Sequence, residues 1–307
     1  MKPAAVVPPA ATSSDSWFAS CSQTAPRVIA VTSGRRGVGQ SVVVVLLGLA
    51  LRRLGKKVLL WDAALGKAAI HTLLGLQPRF GINDVLAGRC TLAESMVSGP
   101  AGLAILPAGP GQTAVAEFGQ GEKILLLQEL EGCADTFDFL LVDTGAGISE
   151  HVMYFNMGAQ ERIVVTDEEP ASIIDAYTLI KVLATKYAEK RFSILFTKIS
   201  QEAAAKRSFT HLVNVAHRFL HGSVSLDYLG AIPFDAAIVE AVLRQQPVVE
   251  LAALSPAGCA SNLIAQALMV QETTPAMDGN IKFFWQSLHK RAASAFCQGG
   301  SREGQLR

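Results

Sequence analysis

The sequence predicts a doubly wound α/β fold with a mostly parallel sheet of about seven strands. Short apolar runs recur along the chain, stretches typical of helices separate them, and the runs are continuously apolar rather than alternating. Continuous apolar runs indicate strands that are covered on both faces, as the strands of parallel sheets are. The seven runs are 28–32, 58–62, 103–107, 139–143, 162–166, 192–196 and 228–232. Their alternation with helices predicts a single domain over residues 27–269.

The first predicted unit is a strand, a glycine-rich loop, a helix and a second strand. The β-branched run 28–32 leads into the loop, and the apolar stretch 42–54 is closed by Gly55 before the run 58–62 begins. A glycine just after the last helical position is a typical helix stop. The pattern therefore predicts a βαβ unit.

Composition excludes several classes of protein. The chain has 307 residues, a formal net charge of +1, and 17% charged against 50% hydrophobic residues. Such a chain can bury a sizeable core, which excludes disorder throughout. A near-neutral charge gives no broad field that attracts phosphates, so a nucleic-acid partner is not expected. Mean hydropathy is +0.31, but the longest apolar run, 42–51, is well short of the roughly 20 residues that cross a bilayer, so no transmembrane helix is expected.

The cysteines and the ends of the chain indicate a cytoplasmic protein. Five cysteines occur without any CxxC pair, so neither a disulfide framework nor a zinc site is expected. Residues 1–26 lack the continuous apolar core of a signal peptide, and they are predicted to be a flexible tail. The polar stretch 270–279 is predicted to be a linker and 297–307 a second tail.

The loop after the first strand has the spacing of a phosphate-binding P-loop, GxxxxGK[ST], with one exception. Gln40 stands where the lysine belongs, whereas the glycines and the hydroxyl of Ser41 are present. Backbone amides and the N-terminus of the following helix attract phosphate, which a lysine would neutralise. A turn of this kind can also be a tight connection that binds nothing. The candidate nucleotide-binding residues are Gly34, Arg35, Arg36, Gly37, Val38, Gly39, Gln40 and Ser41.

Two aspartates are expected near this loop. Asp62 ends the second apolar run, and Asp143 ends the run 139–143. Ligands of open α/β sheets bind at the carboxyl ends of the strands, where both side chains would lie. With the hydroxyl of Ser41, Asp62 and Asp143 form a candidate Mg²⁺ site, and Asp62 is also a candidate catalytic residue.

Taken in order, these motifs resemble those of the MinD/ParA group of P-loop ATPases. Their loop reads KGGVGK[ST] and is matched by RRGVGQS at 35–41. Further similar segments are VLLWDAALGKAAIHTLLG at 58–75, INDVLAG at 82–88, EPASIIDAY at 169–177 and PVVEL at 247–251. Within the group, the chain is most similar to the flagellar number and placement regulators of the FlhG/FleN (YlxH) type.

The resemblance implies a MinD-like fold, binding of ATP or ADP with Mg²⁺, and a homodimer. It also implies a place at the cytoplasmic face of the cell membrane and flagellar partners, namely a signal-recognition-type GTPase, a flagellar transcription regulator, or both. The asparagine that the family often uses for adenine corresponds to Thr197 or Lys198. Residues 1–26 contain no DQAxxLR-like string, so the GTPase stimulation that the family performs with such a segment is not expected here.

The chain departs from the family at the positions that carry chemistry. Arg35 replaces the signature lysine that reaches across the dimer, Arg36 replaces a glycine, and Gln40 replaces the phosphate lysine. Ala64 replaces an acidic residue that helps to orient the attacking water. Phosphoryl transfer depends on oriented charge, so we expect weakened nucleotide binding and weak or absent ATP hydrolysis. Two alternatives stay open: an active ATPase in which Arg35 and Arg36 are substitute cations, and a scaffold that binds no nucleotide.

The stretch 280–296 is predicted to be an amphipathic helix. At 100° per residue, seven of its apolar side chains fall within about 120° of one another, whereas Phe283 does not fit this face. The residues of this face are Ile281, Phe284, Trp285, Leu288, Ala292, Ala295 and Phe296. An aromatic-rich face with flanking cations suits a helix that lies in the membrane interface, and the resemblance implies the same role. The alternative is a helix that docks this face on its own domain or on a dimer partner.

Overall fold

The computed structural model of the protein describes residues 26–64, 70–108, 129–130, 136–244, 247–248 and 255–270. The predicted amphipathic helix 280–296 and the predicted tail 297–307 lie outside the described residues. The same holds for all but one residue of the predicted tail 1–26 and of the predicted linker 270–279.

Within the described residues, eight strands form one sheet in the order β3-β4-β2-β5-β1-β6-β7-β8. The strands are β1 Arg27–Ser33, β2 Val58–Asp62, β3 Val97–Ser98, β4 Ala104–Leu106, β5 Phe139–Ala146, β6 Glu161–Thr166, β7 Arg191–Ile199 and β8 Ser225–Pro233. All neighbours are parallel except β3, which pairs antiparallel with β4 at one edge. The predicted fold class is confirmed, and each of the seven predicted runs overlaps a strand.

The helices connect the strands and lie on both faces of the sheet. They are α1 Gln40–Arg53, α2 Ile70–Leu73, α3 Ile82–Leu86, α4 Leu92–Ser95, α5 Glu150–Gly158, α6 Pro170–Tyr187, α7 Glu202–Leu220, α8 Ala236–Leu243 and α9 Pro256–Val270. The residues at two helix N-termini explain why these helices begin there. Pro170 occupies the first turn of α6, and Asp235 accepts hydrogen bonds from two amides of α8. No helix in the described part of the chain is long and apolar enough to cross a membrane.

The core has two sides because β1 is buried on both faces. Ile29 and Val31 pack into the cluster that includes α1 and α9, whereas Val28 and Ala30 pack into the opposite cluster, which includes α5. Val43 to Leu51 of α1 are all buried, since α1 packs against both the sheet and α9. Burial on both faces explains why the strands read as continuous apolar runs.

The parallel strands bring the candidate residues to one edge of the sheet. Asp143 of β5 is in register with Asp62 of β2 on one side and with Val31 of β1 on the other. The loop 34–39 leaves β1 at this edge and leads directly into α1. Residues far apart in sequence therefore surround the N-terminus of α1.

Candidate nucleotide site

The glycines of the loop are required by its backbone conformation. Gly37 and Gly39 have φ angles of 89° and 88°, in the left-handed region that favours glycine. A Cβ at either position would meet nothing within 4 Å, so space is not the constraint there. The loop ends at Gly39, the N-cap of α1, and thus exposes its amides beside the positive end of that helix.

Gly34 has a different constraint, which is lack of space. A Cβ at this position would lie 2.2 Å from the backbone carbonyl carbon and oxygen of Asp175 in α6. No real Cβ approaches a backbone atom so closely, so only glycine fits without moving α6. This contact fixes the start of the loop against the helix that follows β6.

Gln40 points back into the protein and is bound there on all sides. Its Nε2 donates to Oδ1 of Asp143 at 2.6 Å, to the carbonyl of Val31 at 2.9 Å and to the carbonyl of Gly145 at 3.2 Å. Its Oε1 accepts a hydrogen bond from Ser33 Oγ at 2.6 Å. The side chain that replaces the phosphate lysine is therefore neutral, buried, and directed at the ends of β1 and β5.

Asp143 provides the feature that fits a metal ion. Its Oδ1 accepts the hydrogen bond from Gln40 and a longer one of 3.4 Å from the amide of Gly145. No hydrogen bond of normal geometry reaches its buried Oδ2 from the described residues. Burial raises the pKa of Asp143, while the nearby Ser41 hydroxyl, the Gly145 amide and the Gln40 amide act in the opposite direction. The Oδ2 atom can therefore still accept a ligand. Together with the hydroxyl of Ser41 it offers the oxygen donors that Mg²⁺ prefers.

Asp62 is engaged in the fold rather than in the cleft. Its Oδ2 accepts a hydrogen bond of 3.2 Å from the amide of Ile70, the first residue of α2. Asp62 is 1% exposed, and the next carbonyl, that of Ala63, contacts the ring of His151. Ala64 lines the cleft with a methyl group, which can neither accept a proton nor orient a water molecule.

The two loop arginines differ in their surroundings. Nη1 of Arg35 lies 3.4 Å from Oε2 of Glu169, and its Nε lies 3.8 Å from Oδ2 of Asp175. Arg36 is exposed. Arg35 therefore has its charge partly balanced by two carboxylates outside the loop, which weakens its candidacy as a substitute for the phosphate lysine.

Two residues at the end of β7 contact the loop in a way that the sequence did not reveal. Thr197 donates from Oγ1 to the carbonyl of Val38 at 2.6 Å, and Lys198 donates from Nζ to the carbonyl of Gly37. The sequence pointed to these positions only as the place of an adenine-binding asparagine. A lysine two residues after the apolar run 192–196 was the available signal, because strand ends of a parallel sheet share the ligand edge.

A cleft of about 840 Å³ opens beside the loop. Most predicted site residues line it, namely Arg35, Arg36, Gly37, Val38, Gly39, Gln40, Ser41 and Asp143, together with Thr197, Lys198 and Ala64. Gly34 and Asp62 are described but do not belong to its wall. Its other end is apolar, with side chains of α1 and α8. The predicted membrane-face residues Ile281, Phe284, Trp285, Leu288 and Phe296 lie outside the described residues.

Comparison with known proteins gives consistent matches. The family model ParA, described as an NUBPL iron-transfer P-loop NTPase, matches residues 24–269. The antiactivator FleN of Pseudomonas aeruginosa is 38% identical over 268 residues, which cover 87% of this chain and 95% of FleN. The flagellum site-determining protein YlxH of Helicobacter pylori is 28% identical over 222 residues, covering 72% of this chain and 74% of YlxH.

Solved structures show the same fold. The MinC:MinD cell division complex of Aquifex aeolicus contains a chain that matches with a TM-score of 0.64 and 28% identity, over 82% of this chain and all of that one. MinD of Pyrococcus horikoshii, solved as a complex with Mg-ADP, matches with a TM-score of 0.61 and 23% identity, over 79% of this chain and 96% of that one.

Proposed function

The chain belongs to the MinD/ParA family of P-loop ATPases, and on that premise we propose that it regulates flagellar number or placement through a nucleotide site of reduced strength. The similarity to FleN extends over nearly the whole of that antiactivator, and YlxH is by name a flagellum site-determining protein. The flagellar role rests on these two relatives, whereas the reduced strength of the site rests on the geometry of this chain.

The observation that carries the reduced strength is the position of Gln40. Its amide is hydrogen-bonded to Asp143 and Ser33 and brings no positive charge to the loop. Hydrogen bonds that involve an ionised group are roughly twice as strong as neutral ones. A triphosphate would therefore meet the loop amides but lack the cation that usually neutralises it.

The remaining parts of the site fit a nucleotide with Mg²⁺. The amides around Gly37 and Gly39 would hold the phosphates at the N-terminus of α1. Ser41 Oγ and the Asp143 carboxylate would hold Mg²⁺, which supplies charge neutralisation when bound. Ala64 offers no group to orient a water molecule. Binding of the nucleotide would depend on the loop amides, Ser41 and Asp143. Slow or absent hydrolysis of ATP would follow from Gln40 and Ala64 together.

The regulator would act through contacts with other proteins and with the membrane surface. We place a homodimer, a flagellar GTPase or transcription regulator, and the cytoplasmic face of the cell membrane among its contacts, as the resemblance implies. The segment proposed to contact lipid is 280–296, whose apolar face carries three aromatic side chains at Phe284, Trp285 and Phe296.

Deletion of the gene in its own host tests the flagellar role. We expect the number of flagella per cell, or their position, to change when cells are scored by electron microscopy. Return of the wild-type gene should restore the original count. Cells that keep the same number of flagella at the same positions after deletion would contradict the proposal.

Nucleotide titration by calorimetry, combined with an assay of phosphate release, tests the strength of the site. We expect Mg²⁺-dependent binding with little or no release of phosphate. Turnover comparable to that of intact family members would instead support an active ATPase that uses Arg35 and Arg36. Absence of any binding would support a nucleotide-independent scaffold.

A further inference from the structure

Lys198 has an unusual backbone conformation for a lysine. Its φ angle is 54°, in the left-handed region that residues other than glycine rarely occupy. The register between β7 and β8 shifts between Phe196 and Ile199, so Lys198 lies in an irregular part of the strand. Irregularities of this kind re-aim side chains and are frequent beside functional sites.

The irregularity directs two consecutive side chains at two consecutive carbonyls of the loop. Thr197 Oγ1 reaches Val38, and Lys198 Nζ reaches Gly37. Thr197 is buried and also donates to the carbonyl of Thr166 at 3.2 Å, so it fixes the position of its neighbour. Lys198 itself is exposed and lines the cleft beside the loop.

The ammonium group of Lys198 has no carboxylate partner in the part of the chain that the structure describes. Among the described residues, none of the ion pairs within 4.0 Å involves Lys198, whereas Arg35 has both Glu169 and Asp175 nearby. Within the described ranges, its ammonium group donates to one backbone carbonyl, that of Gly37, which an anionic ligand can replace. A cation without a carboxylate partner beside a cluster of loop amides is arranged to receive an anion.

We propose that Lys198 supplies the positive charge that the loop lacks at Gln40, by contacting a phosphate group of the bound nucleotide from the end of β7. The inference rests on the proposed nucleotide site and adds to it a binding residue from a different element. In this arrangement the ammonium group exchanges the carbonyl of Gly37 for a phosphate oxygen when the ligand binds. The site then keeps one charge-assisted contact although its loop position is neutral.

The substitution Lys198→Met tests the charge alone, because methionine keeps most of the apolar stem and is subject to the same backbone strain. We expect the affinity for Mg·ADP, measured by calorimetry, to fall by about 10- to 100-fold, the range of one hydrogen bond to a charged group. Lys198→Arg should retain the affinity within about threefold. The matched control is Lys186→Met, an exposed lysine in the last turn of α6.

A melting curve without ligand separates this role from a structural one. We expect Lys198→Met to melt at the same temperature as Lys186→Met in the absence of nucleotide. Unchanged affinity for Mg·ADP in Lys198→Met would overturn the inference, and so would a loss of affinity matched by an equal loss of unliganded stability. If the wild-type protein binds no Mg·ADP, the inference fails, while the flagellar role is still decided by the count in deleted cells.

Discussion

Gln40 makes hydrogen bonds with Ser33, Val31, Asp143 and Gly145, so that its amide is fully used at the junction of β1 and β5. An amide in this position satisfies buried polar groups that would otherwise lack partners, and a buried polar group without a partner costs about 1–3 kcal/mol. With glutamine where the P-loop pattern has lysine, the loop lacks that positive charge, and the amide supplies these buried hydrogen bonds instead.

Return of the lysine should strengthen nucleotide binding. We expect Gln40→Lys to raise the affinity for Mg·ATP by about tenfold or more, because a charged donor then faces the phosphates. Phosphate release should stay low, since Ala64 still offers no carboxylate. Calorimetry and a phosphate-release assay measure the two effects, with Ala64→Asp alone and in combination as comparison. An affinity unchanged by Gln40→Lys would show that the neutral side chain does not limit binding.

For the residues of the site, the sequence predicted which side chains lie close together, but it did not predict their hydrogen bonds. Ser41 and Asp143 were expected at one edge because parallel strand ends share an edge, and both line the cleft. The orientation of Gln40 depends on partners as far as 105 residues away, which no local pattern encodes. The contact of Lys198 with Gly37 depends on an irregular register between β7 and β8, which apolar periodicity does not reveal.

The loop and α6 meet at a contact that has no room for a side chain. Gly34→Ala would place a Cβ against the backbone of Asp175 in α6. We expect the melting temperature to fall by roughly 4–8 °C, corresponding to about 2 kcal/mol of overpacking. Gly48→Ala is the control, because the three atoms nearest to its Cβ would be side-chain methyl groups of Leu60 and Leu103, which can move more easily than backbone. Equal melting temperatures for the two variants would contradict this account.

The short helix α3 depends on a carboxylate at its start. Asp84 accepts a hydrogen bond of 2.8 Å from the amide of Gly81 and another of 2.8 Å from Arg89 Nε. These bonds hold the pKa of Asp84 below its ordinary value, the Gly81 amide most strongly. A carboxyl with a lowered pKa stabilises the fold above its ordinary pKa, and this contribution is lost as the pH falls through the lowered value.

Asp84→Asn should remove this part of the acid sensitivity. We expect the melting temperature of the variant to fall less steeply than that of the wild type as the pH is lowered from about 5. Thermal melts across that range measure the slope. The variant should also melt at a lower temperature at neutral pH. Parallel slopes for both proteins would show that Asp84 does not contribute to acid sensitivity.

The sequence predicted the positions of helices and strands correctly where their apolar runs were long. The stretch 42–54 was predicted as a helix and is observed as α1, Gln40–Arg53. The strand β3 was not predicted, because two residues are too short to form a recognisable pattern, and it pairs only as an antiparallel edge to β4. Short elements of this kind are determined by their neighbours rather than by their own composition.

Helix α1 lies in an apolar cluster to which several elements contribute. The last of these along the described chain is α9, which ends at Val270. A chain without residues 280–307 should therefore keep these contacts. We expect the truncated protein to melt at the same temperature as the full chain and to lose flotation with vesicles that contain anionic lipid. Flotation that persists after truncation would contradict the proposed membrane contact of 280–296.

The close approach of Gly34 to Asp175 has a consequence for how such a chain can change. The start of the loop is positioned by a backbone contact with α6 that involves none of the side chains of Arg35, Arg36 or Gln40. Substitutions at those three positions should therefore leave this contact unchanged. A change in the charge of the loop would then not require a change in how its first residue packs against α6.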